Sequence, residues 1–269
     1  MRFSAELIGR SGYDRTGFAA QYDEFRPRPP AELLDTLLQI AAVERPRLVV
    51  DLGTGTGLSA RAWAQRAERV VGIEPNIAML ERARSATDAP NVEYVLAFAD
   101  ATDLPDGTAD VVTCSQAFHW MEPEPVLAEA ARILRSGGVF AAYDYDVVPV
   151  CEWRAEEAFK ALLARRRAFR VARGEYSGSD KWSKEGHLQR IADSGRFRYA
   201  REVVLQSIEP GSAERLVGLA YSIGLPVPDA AGELEPELRY AEFEETVRAV
   251  LGERSLPFRF GYRVRVGIV

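Results

Sequence analysis

Three glycines at alternate positions, Gly53, Gly55 and Gly57, follow the apolar run Leu48-Val49-Val50-Asp51-Leu52 and lead into Leu58-Ser59-Ala60-Arg61. Residues without Cβ in a strand-to-helix turn allow φ > 0 and let a ligand lie against bare peptide groups. The phosphate-binding GxGxxG turn of dinucleotide proteins uses the same device, so the loop alone leaves the ligand open. Here the spacing is GxGxG, and Asp51 stands just before it. A carboxylate at that point sits badly beside a pyrophosphate and well beside a ligand carrying an ammonium and a sulfonium. Two further carboxylates, Glu74 and Asp100, fall at the tips of the next two expected strands. A glutamate there accepts hydrogen bonds from ribose hydroxyls, and Asp100, with Ala101 beside it, is set to meet the exocyclic amine of an adenine.

These groups need a scaffold, and the hydropathy pattern supplies one. From Arg47 to Tyr145 short apolar runs alternate with amphipathic ones, the mark of a parallel sheet covered by helices. RLVVDLG, RVVGIEP, VEYVLAFAD, DVVTCSQ and GGVFAAYDYD read as five strands. GLSARAWAQRA, NIAMLERARSA with Asn76 as N-cap, and EPVLAEAARILR with Pro125 in its first turn read as the helices between them. Asp103, Asp106 and Asp110 in DLPDGTAD are expected to be turn residues. Past Val150 come two helical stretches, a strand-like RYAREVVLQSI, further helical pieces through VRAVLG and a final strand, FRFGYRVRVGIV. The expected fold is α/β: a doubly wound Rossmann-like sheet of seven strands, mostly parallel, extended by antiparallel pairing at the C-terminal edge. A single domain is divided into a helical N-terminal lid over 1–44, a ligand-binding core over 45–150, a helical insertion or cap over 151–195 and completing strands and helices over 196–269.

Taken together, these stretches resemble the class I S-adenosylmethionine-dependent methyltransferases. VVDLGTGTG is similar to their first motif, GIEPN to the acidic second, FADATDLP to the third, and DVVTCSQAFHW and LRSGGVF to the later ones, in matching order over roughly residues 45–145. The resemblance implies that Asp51, Gly53, Thr54, Gly55, Glu74, Pro75, Asp100 and Ala101 bind S-adenosylmethionine, with Ser115 and Gln116 lining the site after the fourth strand. The N-terminal FAAQYDEFRPRP resembles the opening of small-molecule enzymes related to the trans-aconitate and ubiquinone-biosynthesis methyltransferases, although Arg28 and Pro30 depart from that pattern. There Tyr22 and Arg26 would close over cofactor or substrate, the arginine fork suiting an anionic acceptor group.

His119 lies nearest the motifs and is the candidate general base, with Trp120 beside it on the substrate side. The competing reading makes both residues a packing or cofactor-wall element. The insertion offers Trp153, Tyr176, Trp182 and His187 as a possible aromatic cap, against simple packing on the sheet top for the two tryptophans. Arg165, Arg166 and Arg167 read as a solvated helix face, and Tyr221 and Ser222 have no assigned role.

At 269 residues, 47% hydrophobic and 28% charged, the chain has an ordinary globular composition. Its formal net charge of −6 gives no footprint for a nucleic acid. Its two cysteines, Cys114 and Cys151, and two histidines make no zinc-binding pattern, so no metal is expected. No apolar leader or membrane-length run is present, and a cytoplasmic setting is expected. The function read from the sequence is methyl transfer to a small-molecule acceptor, O-methylation preferred, by a monomer or homodimer. The alternatives are an NAD-linked oxidoreductase and a non-catalytic S-adenosylmethionine-binding protein.

Overall fold

Strand β1 (Leu48–Leu52) is buried along its whole length, because both of its faces are covered. Val49 points into one hydrophobic core, and Leu48, Val50 and Leu52 point into the other, as the two-residue period of a strand requires. The computed structural model describes residues 17–173, 182–223 and 237–269. Around β1 lie β2 (Arg69–Ile73), β3 (Val92–Val95), β4 (Ala109–Ser115), β5 (Leu134–Tyr145), β6 (Tyr199–Gly211) and β7 (Leu256–Ile268). They form one sheet in the order β3-β2-β1-β4-β5-β7-β6. The first five strands pair in parallel, while β7 runs antiparallel to both β5 and β6. The expected doubly wound sheet of seven strands with antiparallel pairing at its C-terminal edge is therefore the observed one.

The strand order reverses between β1 and β4. In such sheets the loops at the carboxyl ends diverge there and leave a crevice. The helices are, in chain order, α1 (Phe18–Phe25), α2 (Ala31–Ala41), α3 (Leu58–Trp63), α4 (Ile77–Ser85), α5 (Pro123–Ile133) and α6 (Trp153–Ala172), of which α1, α3, α4 and α5 line the crevice. Then follow α7 (His187–Asp193), α8 (Ala213–Tyr221) and α9 (Tyr240–Leu251). The Asn76 side chain accepts from the Met79 N–H at 3.2 Å and caps α4 as read from the sequence. Glu152 caps α6 through the N–H groups of Arg154 and Ala155.

Three local readings change. Helix α3 stops at Trp63, because the Asn91 amide donates to the Ala64 and Ala67 carbonyls at 2.8 and 3.1 Å and ends the helical ladder. Strand β3 stops at Val95, and Phe98 and Ala101 close a separate bridge that folds the chain back towards the crevice. Asp110 is not a turn residue. It is buried in β4, where it accepts from the N–H groups of Arg47 at 2.7 Å and Leu48 at 3.3 Å and from Arg135 Nε at 2.5 Å. Burial works against its charge, but the Arg135 guanidinium and the two N–H groups outweigh it and keep the carboxyl below its usual range.

Helix α1 is tied across the top of the crevice. Its buried Asp23 pairs with Arg61 of α3 and, at 2.9 Å, with Arg82 of α4. Gly218 in α8 lets the Phe25 ring approach, since a Cβ there would lie 2.4 Å from it. Among the described residues, no helix is long and apolar enough to cross a membrane.

Candidate active site

The glycine turn after β1 adopts the conformation its composition calls for: Gly53, Gly55 and Gly57 have φ of 68°, 57° and 83°. A Cβ on Gly53 would stand 2.7 Å from the Ala117 Cβ, and one on Gly57 would stand 2.3 Å from the Tyr94 hydroxyl. The turn is therefore packed from beneath by the loop after β4 and by β3, while Gly53, Thr54 and Gly55 border an open cavity. That cavity brings together most of the residues singled out from the sequence: the loop residues, Glu74 and Pro75 after β2, Asp100 between β3 and β4, Ser115 and Gln116 at the end of β4, and Tyr22, Arg26 and Trp120. Met79, Phe98 and Ala99 add an apolar wall that the sequence reading missed.

Glu74 is a buried charged residue of this cavity. Its Oε2 accepts from the Gly55 N–H at 2.8 Å and its Oε1 from the Asn76 N–H at 2.9 Å, so the carboxylate braces the glycine turn while lining the cavity. Burial pushes its carboxyl up to about 7, opposed by those two N–H groups.

Asp51 and Ala101 do not line the cavity. Asp51 is fully buried, its oxygens taken by three hydroxyls: Thr54 Oγ1 at 2.6 Å, Ser59 Oγ at 2.9 Å and Thr113 Oγ1 at 2.7 Å. Ser59 also meets the Tyr143 hydroxyl at 2.6 Å. The expectation that Asp51 faces a ligand ammonium is corrected accordingly. It acts one layer back, through Thr54 and Ser59, which do line the cavity. Burial raises its carboxyl above the ordinary range despite these hydrogen bonds.

Arg26 is held rather than held out. Its Nε donates to Ser222 Oγ, its Nη1 to the Tyr145 hydroxyl and its Nη2 to the Ser222 carbonyl, each at 2.9 Å, with the guanidinium carbon 4.5 Å from the Tyr22 ring centre. It works as a latch between the N-terminal helix, β5 and α8, which gives Ser222 the role the sequence left blank. Tyr221 is buried and donates to Glu244.

His119 faces a second cavity, adjoining the first. Tyr22, Arg26 and Gln116 line both. Gln116 sits at the boundary with φ of 50°, a strained conformation for a side-chain-bearing residue. Its Nε2 donates to the Tyr145 carbonyl at 2.9 Å and its Oε1 accepts from Lys184. The second cavity rests on a buried cluster around Asp144, which lies 2.9 Å from Lys184 Nζ, 3.0 Å from Arg265 Nη1 and 3.7 Å from His119 Nδ1. Burial disfavours its charge, but His119 and Lys184 outweigh that and hold the Asp144 carboxyl far below its usual range.

The insertion contributes in ways the sequence did not reveal. Arg166 and Arg167 line the second cavity together with Arg170, while Arg165 turns away to the Leu238 carbonyl at 2.9 Å, so the solvated-face reading of the arginine run does not hold for the face formed by Arg166 and Arg167. Trp182 borders the cavity, with Arg190 5.1 Å from its ring centre. Trp153 does not pack on the sheet, being 68% exposed. His187 is no cap residue: it is fully buried, 4.8 Å from the Phe118 ring centre, and burial holds its imidazole down at about 4, uncharged at neutrality. Tyr176 lies outside the described residues.

Two concave spaces joined by a shared wall, one bordered by bare backbone and a buried carboxylate, suit a nucleoside-type ligand and a smaller partner. The bare backbone of Gly53 and Gly55, the apolar wall of Met79 and Phe98, and Glu74 fit the adenosyl and ribose parts of S-adenosylmethionine. Comparison with known proteins agrees. Residues 50–142 match the profile of a methyltransferase domain. An uncharacterised methyltransferase of Mycobacterium tuberculosis is 38% identical over 117 residues, 44% of this chain and 46% of that protein. The chain thus spans about half the length of the curated relatives it matches. A solved structure from Anaeromyxobacter dehalogenans, provisionally described as a type II methyltransferase, superimposes with a TM-score of 0.62 at 26% identity, covering 91% of this chain and 98% of that one. The YcgJ protein of Bacillus subtilis shares the fold with a TM-score of 0.54 at 19% identity, covering 87% and 97%. The glycine turn and its acidic partners thus lie within residues 50–142, which match a methyltransferase domain, and together with the shared fold they support a class I S-adenosylmethionine-dependent methyltransferase.

Proposed function

We propose that the protein transfers the methyl group of S-adenosylmethionine to a small-molecule acceptor bound in the second cavity, with oxygen as the preferred acceptor atom. The observation that carries this is the shared wall: Tyr22, Arg26 and Gln116 border both cavities, and His119 borders the second alone. When bound, the cofactor supplies a methyl carbon made electrophilic by its sulfonium. Glu74 would accept from the ribose hydroxyls, and Asp100 would meet the adenine amine, both side chains lining this cavity. Helix α1, latched by Arg26, and α6 shield the two cavities from water, which strengthens electrostatics inside them. Holding acceptor oxygen, methyl carbon and sulfur in line supplies much of the rate, up to roughly 7–11 kcal/mol in favourable systems.

His119 takes the proton of an acceptor hydroxyl, and Asp144, 3.7 Å from its Nδ1, stabilises the imidazolium that results. The methyl group that the bound cofactor would supply replaces that proton on the acceptor oxygen. The chain acts in the cytoplasm under this reading.

Incubation with methyl-labelled S-adenosylmethionine and a panel of phenols, hydroxy acids and amines tests the reading. Label is expected in a hydroxylated acceptor, with His119→Gln lowering turnover by about 10²-fold or more at unchanged S-adenosylhomocysteine affinity. A His119→Gln variant that loses cofactor affinity but keeps turnover assigns His119 to the wall instead. Cofactor binding with no labelled acceptor anywhere in the panel points to a binding protein and contradicts the transferase reading.

A further inference from the structure

The second cavity has a polarity that nothing in the cofactor motifs requires. Leu163, Arg166, Arg167 and Arg170 are spaced i, i+3, i+4 and i+7 on α6, so a single helix face delivers all four to one wall. Lys184 and Arg26 add two more cations, and the described lining contains no carboxylate, in a chain whose formal net charge is −6. Val147, Leu163, Ile223 and the Trp182 ring make the remainder largely apolar. The cavity also has a direction. Gln116, reached by Lys184, marks the opening to the cofactor cavity, whereas Arg166, Arg167 and Arg170 border the second cavity alone.

We propose that the acceptor is a small amphipathic molecule whose anionic group, a carboxylate or a phosphate, is held by the arginine face of α6. Its apolar body lies along Leu163, Val147 and Trp182, and its methyl-accepting hydroxyl points towards Gln116 and His119. The anionic group is then a handle, distant from the transferred methyl, and is not itself methylated. Arginine suits this task because its planar fork binds either anion through paired N–H donors. This inference rests on the second cavity being the acceptor cavity.

Calorimetric titration of the S-adenosylhomocysteine-loaded protein with para-hydroxyphenylacetate, para-hydroxyphenyl phosphate and the uncharged para-hydroxyphenylacetamide tests it. At least one acid is expected to bind tenfold or more tighter than the amide, and the tighter acid tells carboxylate from phosphate. The double variant Arg166→Gln/Arg170→Gln is expected to lose that tenfold preference while binding S-adenosylhomocysteine and the amide like the wild type, and Arg166→Lys/Arg170→Lys to recover part of it. Equal binding of acid and amide by the wild type, an undiminished preference in the double variant, or no acid binding at about 10 mM, near the weak end of measurable affinity, each overturns the proposal. The acid-to-amide ratio needs no variant, so it decides even where the double variant does not fold. Failure of the wild type to bind S-adenosylhomocysteine would instead show that the cofactor reading beneath it is wrong.

Discussion

Glu74→Ala is expected to weaken S-adenosylhomocysteine binding by about 1.5–3 kcal/mol, the usual worth of hydrogen bonds to a charged group, or roughly 10- to 150-fold. The substitution removes two functions at once. Glu74 lines the cofactor cavity, and its two oxygens also hold the N–H groups of Gly55 and Asn76 at 2.8 and 2.9 Å, fixing the turn against which the ligand lies. Its carboxyl, pushed up to about 7 by burial, adds a pH signature with two opposite signs. In the ligand-free protein the folded-state value lies above the unfolded one. The stability this group contributes is therefore fully present below the unfolded value of about 4.5 and is lost as pH rises through about 7. Ligand binding runs the other way, because ribose hydroxyls donate to the ionised form. S-adenosylhomocysteine affinity should therefore fall as pH drops below about 7, by at most about tenfold per pH unit. Titrations of wild type and Glu74→Gln between about pH 6 and 8 check this, the variant being expected to bind weakly and with a flat profile. Wild-type affinity independent of pH, or a variant with wild-type affinity, would demote Glu74 to a strut of the turn.

For Asp51→Ala the expected loss is first of stability and only then of binding. The carboxylate is fully buried and accepts from Thr54, Ser59 and Thr113, so its removal leaves three buried hydroxyls and a void beneath the glycine turn. A cost of about 3 kcal/mol is expected, lowering the Tm by roughly 6–12 °C in a domain of this size. Asp51→Asn should cost less than half as much, because burial already works against the charge and the amide oxygen still accepts. Thermal unfolding with and without S-adenosylhomocysteine separates the roles. An unchanged Tm with abolished binding would restore the direct contact expected from the sequence, and would contradict a carboxylate acting through Thr54 and Ser59.

The difference between those two acids shows how far the sequence reaches. Glu74 was legible because a carboxylate at the tip of a strand, in register with a glycine turn, has few places to go but the crevice beyond the sheet. Asp51 lies on the same sheet edge, but the direction of one side chain in a fully buried strand depends on which face closes over it, and Ser59 and Thr113 close over this one. The alternation of strands and helices carried the fold through β5 because parallel strands covered on both faces are apolar throughout. Element ends were less legible, since Asn91 stops α3 from a position far along the chain. The arginine face of α6 was present in the sequence as a helical spacing, but spacing does not tell whether a face meets solvent or a cavity. Only the fold, which turns Arg165 to Leu238 and Arg166 to the second cavity, distinguishes the two. Lys184 was one of three lysines and drew no attention, although it links Gln116 to Asp144. Asp144 itself sits inside an apolar strand, where the partners brought by His119, by β7 and by segment 182–187 reveal it.

The measurement that bears most directly on the central claim is a calorimetric titration of the purified protein with S-adenosylhomocysteine and, separately, with NADH. The structure predicts micromolar binding of the first, roughly −8 kcal/mol, and none of the second, because the buried Glu74 carboxylate lines the cavity and already takes the Gly55 N–H that a pyrophosphate would need as a donor. Binding of NADH alone would mean that the glycine turn serves a dinucleotide, and the assignment of the two cavities to a methyl donor and its acceptor would fall with it.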